Sequence, residues 1–192
     1  NVVLVTLDTT RADALSCYGA PQGSTPSLDA LARSGTRFDL AIATAALTPV
    51  SHASILTGLE NQQHGLRVLA APSGFRLRAD VETLATALKA EGYATAAIHS
   101  AFPVSGPFGL QRGFDVFESF SVESAGADPA SWDVDALQRR SDETTDLALA
   151  YLEDASEPFF LWVHYWDPHD ALRLPPVESL PRDLPQRDGK LV

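Results

Sequence analysis

The chain contains no methionine and only one cysteine, Cys17, among its 192 residues. A single cysteine cannot form an internal disulfide, which excludes a small scaffold held together by disulfides. No run approaches the roughly 20 consecutive apolar residues of a membrane-spanning helix, so we expect no membrane segment in this chain. Because a natural start is missing and no signal peptide is visible, we interpret the chain as a segment of a larger protein and leave its localisation open.

Basic residues are also scarce, since 14 Lys and Arg oppose 25 Asp and Glu and give a net charge of −11. Such an acidic chain does not suit a polyanion, and we expect no nucleic-acid partner. Hydrophobic residues make up 45% and charged residues 20%, as in an average soluble globular protein. A chain of this length can bury roughly 70% of its unfolded surface. The composition therefore favours one domain over residues 1–192.

Apolar runs alternate with helical patterns along the chain. The predicted strands are 1–8, 36–43, 93–99 and 158–165, and the first suits a central parallel strand because both of its faces are apolar. The predicted helices are 26–34, 48–57, 80–91 and 131–155, and loops are expected over 103–129 and 172–192. This alternation predicts an α/β/α sandwich with a mostly parallel central sheet. In such sheets ligands bind at the carboxyl ends of the strands.

One acidic residue ends the first predicted strand. A buried carboxylate at Asp8 is costly unless it is paired, hydrogen-bonded or bound to a metal. From the local pattern alone, Asp8 is either a metal ligand or the cap of the following turn.

Hydroxyl groups surround the start of the second predicted helix, in the segment Thr48-Pro49-Val50-Ser51-His52. Free amides and the helix dipole at such a position suit a tetrahedral anion such as sulfate or phosphate. A hydroxyl there can attack the anion if a metal lowers its pKa. The pattern leaves two alternatives open: Thr48 is an ordinary N-cap, or Ser51 is the cap or the nucleophile.

The other candidates are histidines. His169 follows Pro168 in a loop beyond a strand end, where functional side chains concentrate. His164 alternates with apolar residues in a strand and fits a core position. His64 lies in a turn-like stretch and His99 ends a strand, and both are compatible with structural or functional roles.

The order of these segments resembles the sulfatase family of the alkaline phosphatase superfamily over roughly the first 170 residues. The most specific piece is the helix that ends in Ile55-Leu56-Thr57-Gly58. The other matching segments occur in family order: Asp8-Thr9-Thr10-Arg11-Ala12-Asp13, Cys17-Tyr18-Gly19, Thr25-Pro26-Ser27-Leu28-Asp29, Thr36-Arg37-Phe38, His64-Gly65, Glu82-Thr83-Leu84-Ala85, Gly92-Tyr93-Ala94-Thr95-Ala96, Gly113-Phe114-Asp115, Pro158-Phe159-Phe160-Leu161 and Asp167-Pro168-His169.

The resemblance implies an alkaline-phosphatase-like fold and roles for five residues. Asp8 matches the acidic metal ligand, and Thr48 matches the nucleophile, which also contacts the metal. His169 matches a histidine that contacts the ester or its leaving group, and His52 stands where sulfatases have the arginine of Cys-x-Pro-x-Arg. Ser51, beside them, is a substrate-binding candidate. The implied cofactor is a divalent metal, Ca²⁺, Mn²⁺ or Zn²⁺.

Several positions depart from the sulfatase pattern. Thr48 replaces the cysteine that becomes formylglycine, so we expect no formylglycine and a direct attack by threonine. The motif's proline lies one place early, at Pro49, and Thr9 replaces the second acid of the Asp-Asp pair. The segment 99–102 replaces Gly-Lys-Trp-His, which removes the lysine and histidine that hold sulfate. The later Asp-His or Asp-Asn metal segment is absent, so the domain is expected to be C-terminally incomplete and this fragment alone inactive.

These observations predict metal-dependent hydrolysis of sulfate or phosphate esters in the complete protein, on a small-molecule, glycan or lipid ester. Two alternatives remain. One is a phosphoester transferase of the same superfamily, and the other is a non-catalytic binding module that keeps the fold.

Overall fold

The computed structural model describes residues 1–67, 76–119 and 138–169, together with the backbone of 186–187 and 190–191. The strands are β1 (Val2–Leu7), β2 (Ala94–His99), β3 (Val116–Glu118), β4 (Phe159–Tyr165), β5 (Gln186–Arg187) and β6 (Lys190–Leu191). The α-helices are α1 (Pro26–Ser34), α2 (Thr48–Thr57), α3 (Asn61–His64), α4 (Leu84–Ala90) and α5 (Ser141–Asp154). Short 3₁₀ helices lie at Ala12–Ala14, Ser16–Tyr18, Phe102–Val104, Gly106–Phe108 and Asp167–His169.

The chain consists of two compact units. The first unit comprises Asn1–Asp8 and Ala43–Asp167, and the second comprises Thr9–Ile42 and Pro168–Val192. The second unit contains α1 and the half-buried Cys17. None of the helices in the described part of the chain is both long and apolar enough to cross a membrane.

The first unit is built on a four-stranded sheet with the order β1-β4-β2-β3. All three strand pairs are parallel, which confirms the predicted parallel sheet. Among the described residues β1 pairs with β4 alone and lies at the edge of the sheet formed there, so its central position stays a prediction for the intact protein. Val3 and Val5 on this strand are each 53% exposed. An apolar run identifies a strand but does not fix how many neighbours the strand has.

Helices cover both faces of the sheet, as the sandwich prediction requires. On one face, α2 and α4 pack on a core that includes Leu56, Phe160 and Trp162. On the other face, α5 packs through Ala148 on a core that includes Ile98 and Leu161. Because successive strand residues point to opposite faces, even-numbered residues of β4 face α2 and odd-numbered ones face α5.

The helix that carries the nucleophile candidate has the predicted bounds. Pro49 occupies its second position, where the missing N–H is no loss, and Gly58 ends it with φ of +68°. The N-cap is Leu47, so the alternative in which Thr48 caps the helix is wrong. The alternative in which Ser51 caps it is wrong too, because the Ser51 N–H already donates to the carbonyl of Leu47 at 2.9 Å.

Two predicted elements are misplaced. Residues 36–43 do not form a strand, although Phe38, Leu40 and Ile42 alternate as a strand would. These side chains are 68–80% exposed, and a strand is stable only when a neighbouring strand completes its hydrogen bonds. The helix predicted over 131–155 begins at Ser141, because residues 138–140 are extended. Residues 131–137 lie outside the described residues.

Smaller corrections concern the remaining boundaries. The predicted loop 103–129 contains β3, which pairs with β2, and its part from 120 lies outside the described residues. The helix predicted over 80–91 begins only at Leu84, because Thr83 caps it through its hydroxyl. The predicted loop 172–192 contains the antiparallel pair β5–β6, and its other residues lie outside the described residues.

Candidate active site

Asp8 lies where β1 ends, at the carboxyl edge of the sheet. Its backbone N–H extends the ladder to β4 by donating to the carbonyl of Tyr165 at 2.9 Å. The next residue, Thr9, has a φ of +50°, which is unusual for a β-branched residue and turns the chain off the strand. The carboxylate itself is buried, with only 8% of the residue exposed. The strand and this turn therefore place an acid inside the edge where ligands bind in parallel sheets.

Thr48 is the first residue of α2 and is half-buried. The N–H groups in the first turn of a helix have no acceptor within the helix. Pro49 has no N–H and the N–H of Ser51 is already bonded, so Thr48 and Val50 carry the first-turn donors. An anion bound at this helix start would accept hydrogen bonds from the N–H groups of Thr48 and Val50. The N–H of Ser51 is already bonded, so Ser51 remains a candidate for contacting the anion through its half-buried side chain.

His52 lies one turn later on the same helix and is hydrogen-bonded to the backbone of Thr48. Its Nδ1 lies 2.7 Å from the carbonyl oxygen of Thr48. A carbonyl only accepts, so Nδ1 carries the proton. Burial lowers the pKa of His52, while that hydrogen bond and the charge of Asp8 oppose the change. The neutral ring therefore has a lone pair on Nε2, which has no hydrogen-bond partner among the described residues.

His164 on β4 joins this group. Its ring lies 4.6 Å from that of His52, centroid to centroid, and the two planes meet at 81°. Its Nδ1 is 2.8 Å from Oγ1 of Thr6, and its Nε2 is 3.6 Å from Oδ2 of Asp8. Burial, with the nearby rings of His52 and His99, lowers its pKa well below the usual value. The contact with Asp8 is therefore between a carboxylate and a neutral ring.

The sequence prediction placed His164 in the core and missed its position beside Asp8. The signal that identifies it is the strand register, because Thr6 of β1 pairs with His164, which pairs with His99 of β2. These three residues form one row across the sheet on the face covered by α2. Such a row becomes visible only once the strand order and register are known.

His99 and His64 are also buried, but in different ways. Neither ring nitrogen of His99 has a hydrogen-bond partner in the part of the chain that the structure describes, and its ring lies 4.9 Å from that of Phe117. Burial, aided by the charge of Arg139, lowers its pKa to about 3. His64, in contrast, accepts the N–H of Leu66 at 3.2 Å and contacts Oγ of Ser54 at 3.1 Å. These contacts support the structural role for His64.

The segment after β4 contains the remaining candidate. Asp167 accepts the backbone N–H of Ser141 at 3.1 Å and so caps α5. His169 ends the 3₁₀ helix Asp167–His169 and is exposed. It belongs to the second unit, and its role at the site stays a prediction.

The structure thus brings Asp8, His52 and His164 together, next to the helix start at Thr48. Within residues 1–67, 76–119 and 138–169, no three His, Cys, Asp or Glu side chains converge closely enough to hold a metal ion. A buried carboxylate that lies beside neutral rings is stabilised by a bound cation. Asp8 and Thr48 each provide one oxygen ligand for such an ion. They fit part of a divalent site, since such ions take four or more ligands.

Comparison with known proteins identifies the family of the chain. The Sulfatase family model matches residues 1–188, and the chain belongs to the sulfatase family. An N-acetylglucosamine-6-O-sulfatase from Bacteroides thetaiotaomicron is 31% identical over 178 residues, which cover 88% of this chain and 30% of the relative. The chain therefore spans less than a third of that relative's length.

Two solved structures are similar over most of the chain. A protein bound to its substrate D-glucosamine-2-N,6-O-disulfate has a TM-score of 0.69 at 26% identity, over 89% of this chain and 35% of that protein. The phosphonate monoester hydrolase of Agrobacterium radiobacter has a TM-score of 0.66 at 25% identity, over 91% of this chain and 42% of that protein. The predicted family and alkaline-phosphatase-like fold are confirmed. Members of this superfamily generally use a divalent metal.

Proposed function

We propose that the intact protein hydrolyses sulfate or phosphate esters with the hydroxyl of Thr48 as nucleophile. The observation that carries this proposal is the coupling of Thr48 to His52 at the start of α2. Residues four apart on a helix share a face, and Nδ1 of His52 bonds the Thr48 carbonyl, so the two side chains lie on the same face of α2 while Nε2 of His52 remains unprotonated. Family membership and the similarity to a phosphonate monoester hydrolase support ester chemistry at this position.

The proposed reaction has two steps. Thr48 Oγ1 bonds to the sulfur or phosphorus, the bond to the leaving oxygen breaks, and Nε2 of His52 takes the hydroxyl proton. His169 gives a proton to the leaving alcohol. Water then attacks the threonine ester, which releases sulfate or phosphate and restores Thr48. Ser51 contacts the substrate, and the N–H groups of Thr48 and Val50 stabilise the developing charge.

Asp8 and Thr48 are the proposed ligands of a divalent metal, Ca²⁺, Mn²⁺ or Zn²⁺, with further ligands from outside the described residues. When bound, such a metal lowers the pKa of the hydroxyl and neutralises a substrate oxygen. Formylglycine is not involved, because residue 48 is threonine.

A sulfated amino sugar is the first substrate to test. One relative is named an N-acetylglucosamine-6-O-sulfatase, and one similar structure contains a disulfated glucosamine. Aryl sulfates, aryl phosphates and phosphonate monoesters complete the panel, and together they separate the sulfate and phosphate alternatives.

The experiment compares Thr48→Ala with Thr48→Ser in the intact protein, each supplied with the three metals in turn. We expect Thr48→Ala to lower turnover by at least about 10³-fold, because the attacking oxygen is removed, while Thr48→Ser retains part of it. Thr57→Ala at the other end of α2 is the matched control. Among the described residues its hydroxyl bonds the carbonyl of Ala53 and the N–H of Leu59, so turnover should persist. Undiminished turnover in Thr48→Ala contradicts the proposal.

The same assay separates the two alternatives. Transfer of the sulfuryl or phosphoryl group to an added alcohol, in place of water, identifies a transferase. A folded wild-type protein without turnover under all metals and substrates identifies a non-catalytic module.

A further inference from the structure

We propose that Thr6 and His164 are a positioning pair for Asp8, in which the Thr6 hydroxyl keeps the His164 proton on Nε2, facing the carboxylate. The proposal rests on the proposed function, because Asp8 is there the metal ligand. His164 is in this view a positioning residue rather than a catalytic one. The argument depends on which atoms can donate and which can accept.

The Thr6 hydroxyl has two hydrogen-bonding neighbours, and the donor or acceptor role of each can be assigned. The indole Nε1–H of Trp162 lies 3.0 Å from Oγ1 of Thr6, and an indole nitrogen can only donate. Oγ1 therefore accepts from Trp162, and its own hydrogen is free for the second neighbour. That neighbour is Nδ1 of His164, at 2.8 Å. A hydroxyl that donates to Nδ1 requires a bare Nδ1, and a neutral ring then carries its proton on Nε2.

The opposite tautomer is disfavoured at both ends of the ring. With the proton on Nδ1, Thr6 would accept twice and its half-buried hydroxyl hydrogen would lose its acceptor. At the same time the Nε2 lone pair would face Oδ2 of Asp8 at 3.6 Å, in a site where both side chains are at most 7% exposed. Lone pair and carboxylate repel strongly in such a poorly solvated place.

The separation of 3.6 Å is longer than a hydrogen bond. At this distance the Nε2–H acts as an oriented dipole, which favours the charged carboxylate and restricts its rotation. The neighbouring ring of His52 is the opposite tautomer. Its Nδ1 carries the proton and donates to the carbonyl of Thr48, and its Nε2 is unprotonated. One ring therefore presents a donor to the acid, while the other has an unprotonated Nε2 and donates to the backbone of the proposed nucleophile.

The primary test is nitrogen NMR of the imidazole rings in ¹⁵N-histidine-labelled protein near neutral pH. We expect wild-type His164 to show a protonated Nε2 and a bare Nδ1, and Thr6→Ser, which keeps the hydroxyl, to show the same. Thr6→Val keeps the shape without the hydroxyl and should shift His164 toward a mixture of tautomers. A wild-type ring protonated on Nδ1, or an unchanged ring in folded Thr6→Val, overturns the proposal.

Thr6→Val also deprives the Trp162 indole of its acceptor, which can unfold the protein. The double variant Thr6→Val/Trp162→Phe removes that unmatched donor, and circular dichroism reports whether each variant is folded. If neither variant folds, the wild-type spectrum alone decides, because the predicted tautomer is either present or not.

Activity provides the second measurement, on the intact protein. Loss of a group that orients a metal-binding carboxylate typically costs about 10- to 100-fold, so Thr6→Val should lower kcat by that factor with KM nearly unchanged. Thr6→Ser should restore kcat. An active Thr6→Val with wild-type kcat overturns the positioning role.

The two proposals fail in different ways. Thr48→Ala should remove turnover and leave the His164 tautomer unchanged. If the tautomer is as expected but Thr48→Ala retains turnover, the nucleophile assignment fails and the pair stands. If the tautomer is wrong and Thr48→Ala is inactive, the pair fails and the nucleophile assignment stands.

Discussion

His99 lies completely buried at the carboxyl end of β2, between Trp162 and the ring of Phe117. Burial lowers its pKa to about 3, against about 6.5 in an unfolded chain. Between those values the unfolded state binds a proton that the folded state excludes. The contribution of the neutral, buried His99 to the free energy of unfolding is therefore fully present above about pH 6.5. It is lost as the pH falls toward 3, because the unfolded chain is then stabilised by protonation.

We predict that the free energy of unfolding is about 2 kcal/mol lower at about pH 5 than at about pH 7 on account of His99 alone. His52 and His164, whose pKa values burial also lowers, act in the same direction. Urea titrations at the two pH values measure the difference. His99→Leu should reduce the pH dependence by this amount. An equal pH dependence in wild type and His99→Leu contradicts the prediction.

At the scale of single residues, the sequence identifies part of the site. Asp8 and Thr48 are recognisable because each lies at an element boundary, and His52 because it shares a local motif with Thr48. His164 is not, because only the register of β4 against β1 places it beside Asp8. Its alternation with apolar neighbours is what a packed core residue also shows. The motif likewise does not reveal that the N–H of Ser51 is already bonded.

At the scale of elements, buried segments are predicted well and exposed ones poorly. The strands β2 and β4 and the helix α2 agree with the prediction because their apolar patterns coincide with actual burial. The segment 36–43 has the period of a strand without a partner strand in the described residues. Local pattern cannot report a missing neighbour.

Glycines at element ends provide a test at this scale. Gly113, with φ of +94°, lies against the start of α4, where an added Cβ would be 2.5 Å from the backbone nitrogen of Thr86. Gly58, with φ of +68°, ends α2 and has nothing within 4 Å of that position. Gly58→Ala should lower the free energy of unfolding by about 1 kcal/mol, because of backbone strain alone. Gly113→Ala should lower the free energy of unfolding by about 2–5 kcal/mol, because a clash with the helix backbone is added to the strain.

The measurement is the free energy of unfolding of both variants from denaturant titrations. Gly58→Ala serves as the matched control, since both residues have a positive φ. Equal losses would show that the first turn of α4 yields to the added methyl group.

At the scale of the whole molecule, the parallel order of the strands was predictable from their alternation with helices, whereas the central position of β1 stays a prediction. In the described residues β1 has one neighbour, β4, and its face beyond α5 exposes Val3 and Val5. Edge position depends on which strands are present, and the composition of one strand carries no such information. The number of domains stays a prediction.

Trp162 lies among three buried histidines, with ring centroids 5.8 Å from His52 and 6.3 Å from both His99 and His164. A protonated imidazole quenches indole emission at contact distance, whereas a neutral one has much less effect. With Trp132 and Trp166 replaced by phenylalanine, the intrinsic fluorescence of Trp162 therefore reports optically when a proton reaches one of these rings. The chain thus contains its own spectroscopic probe, and no label needs to be attached.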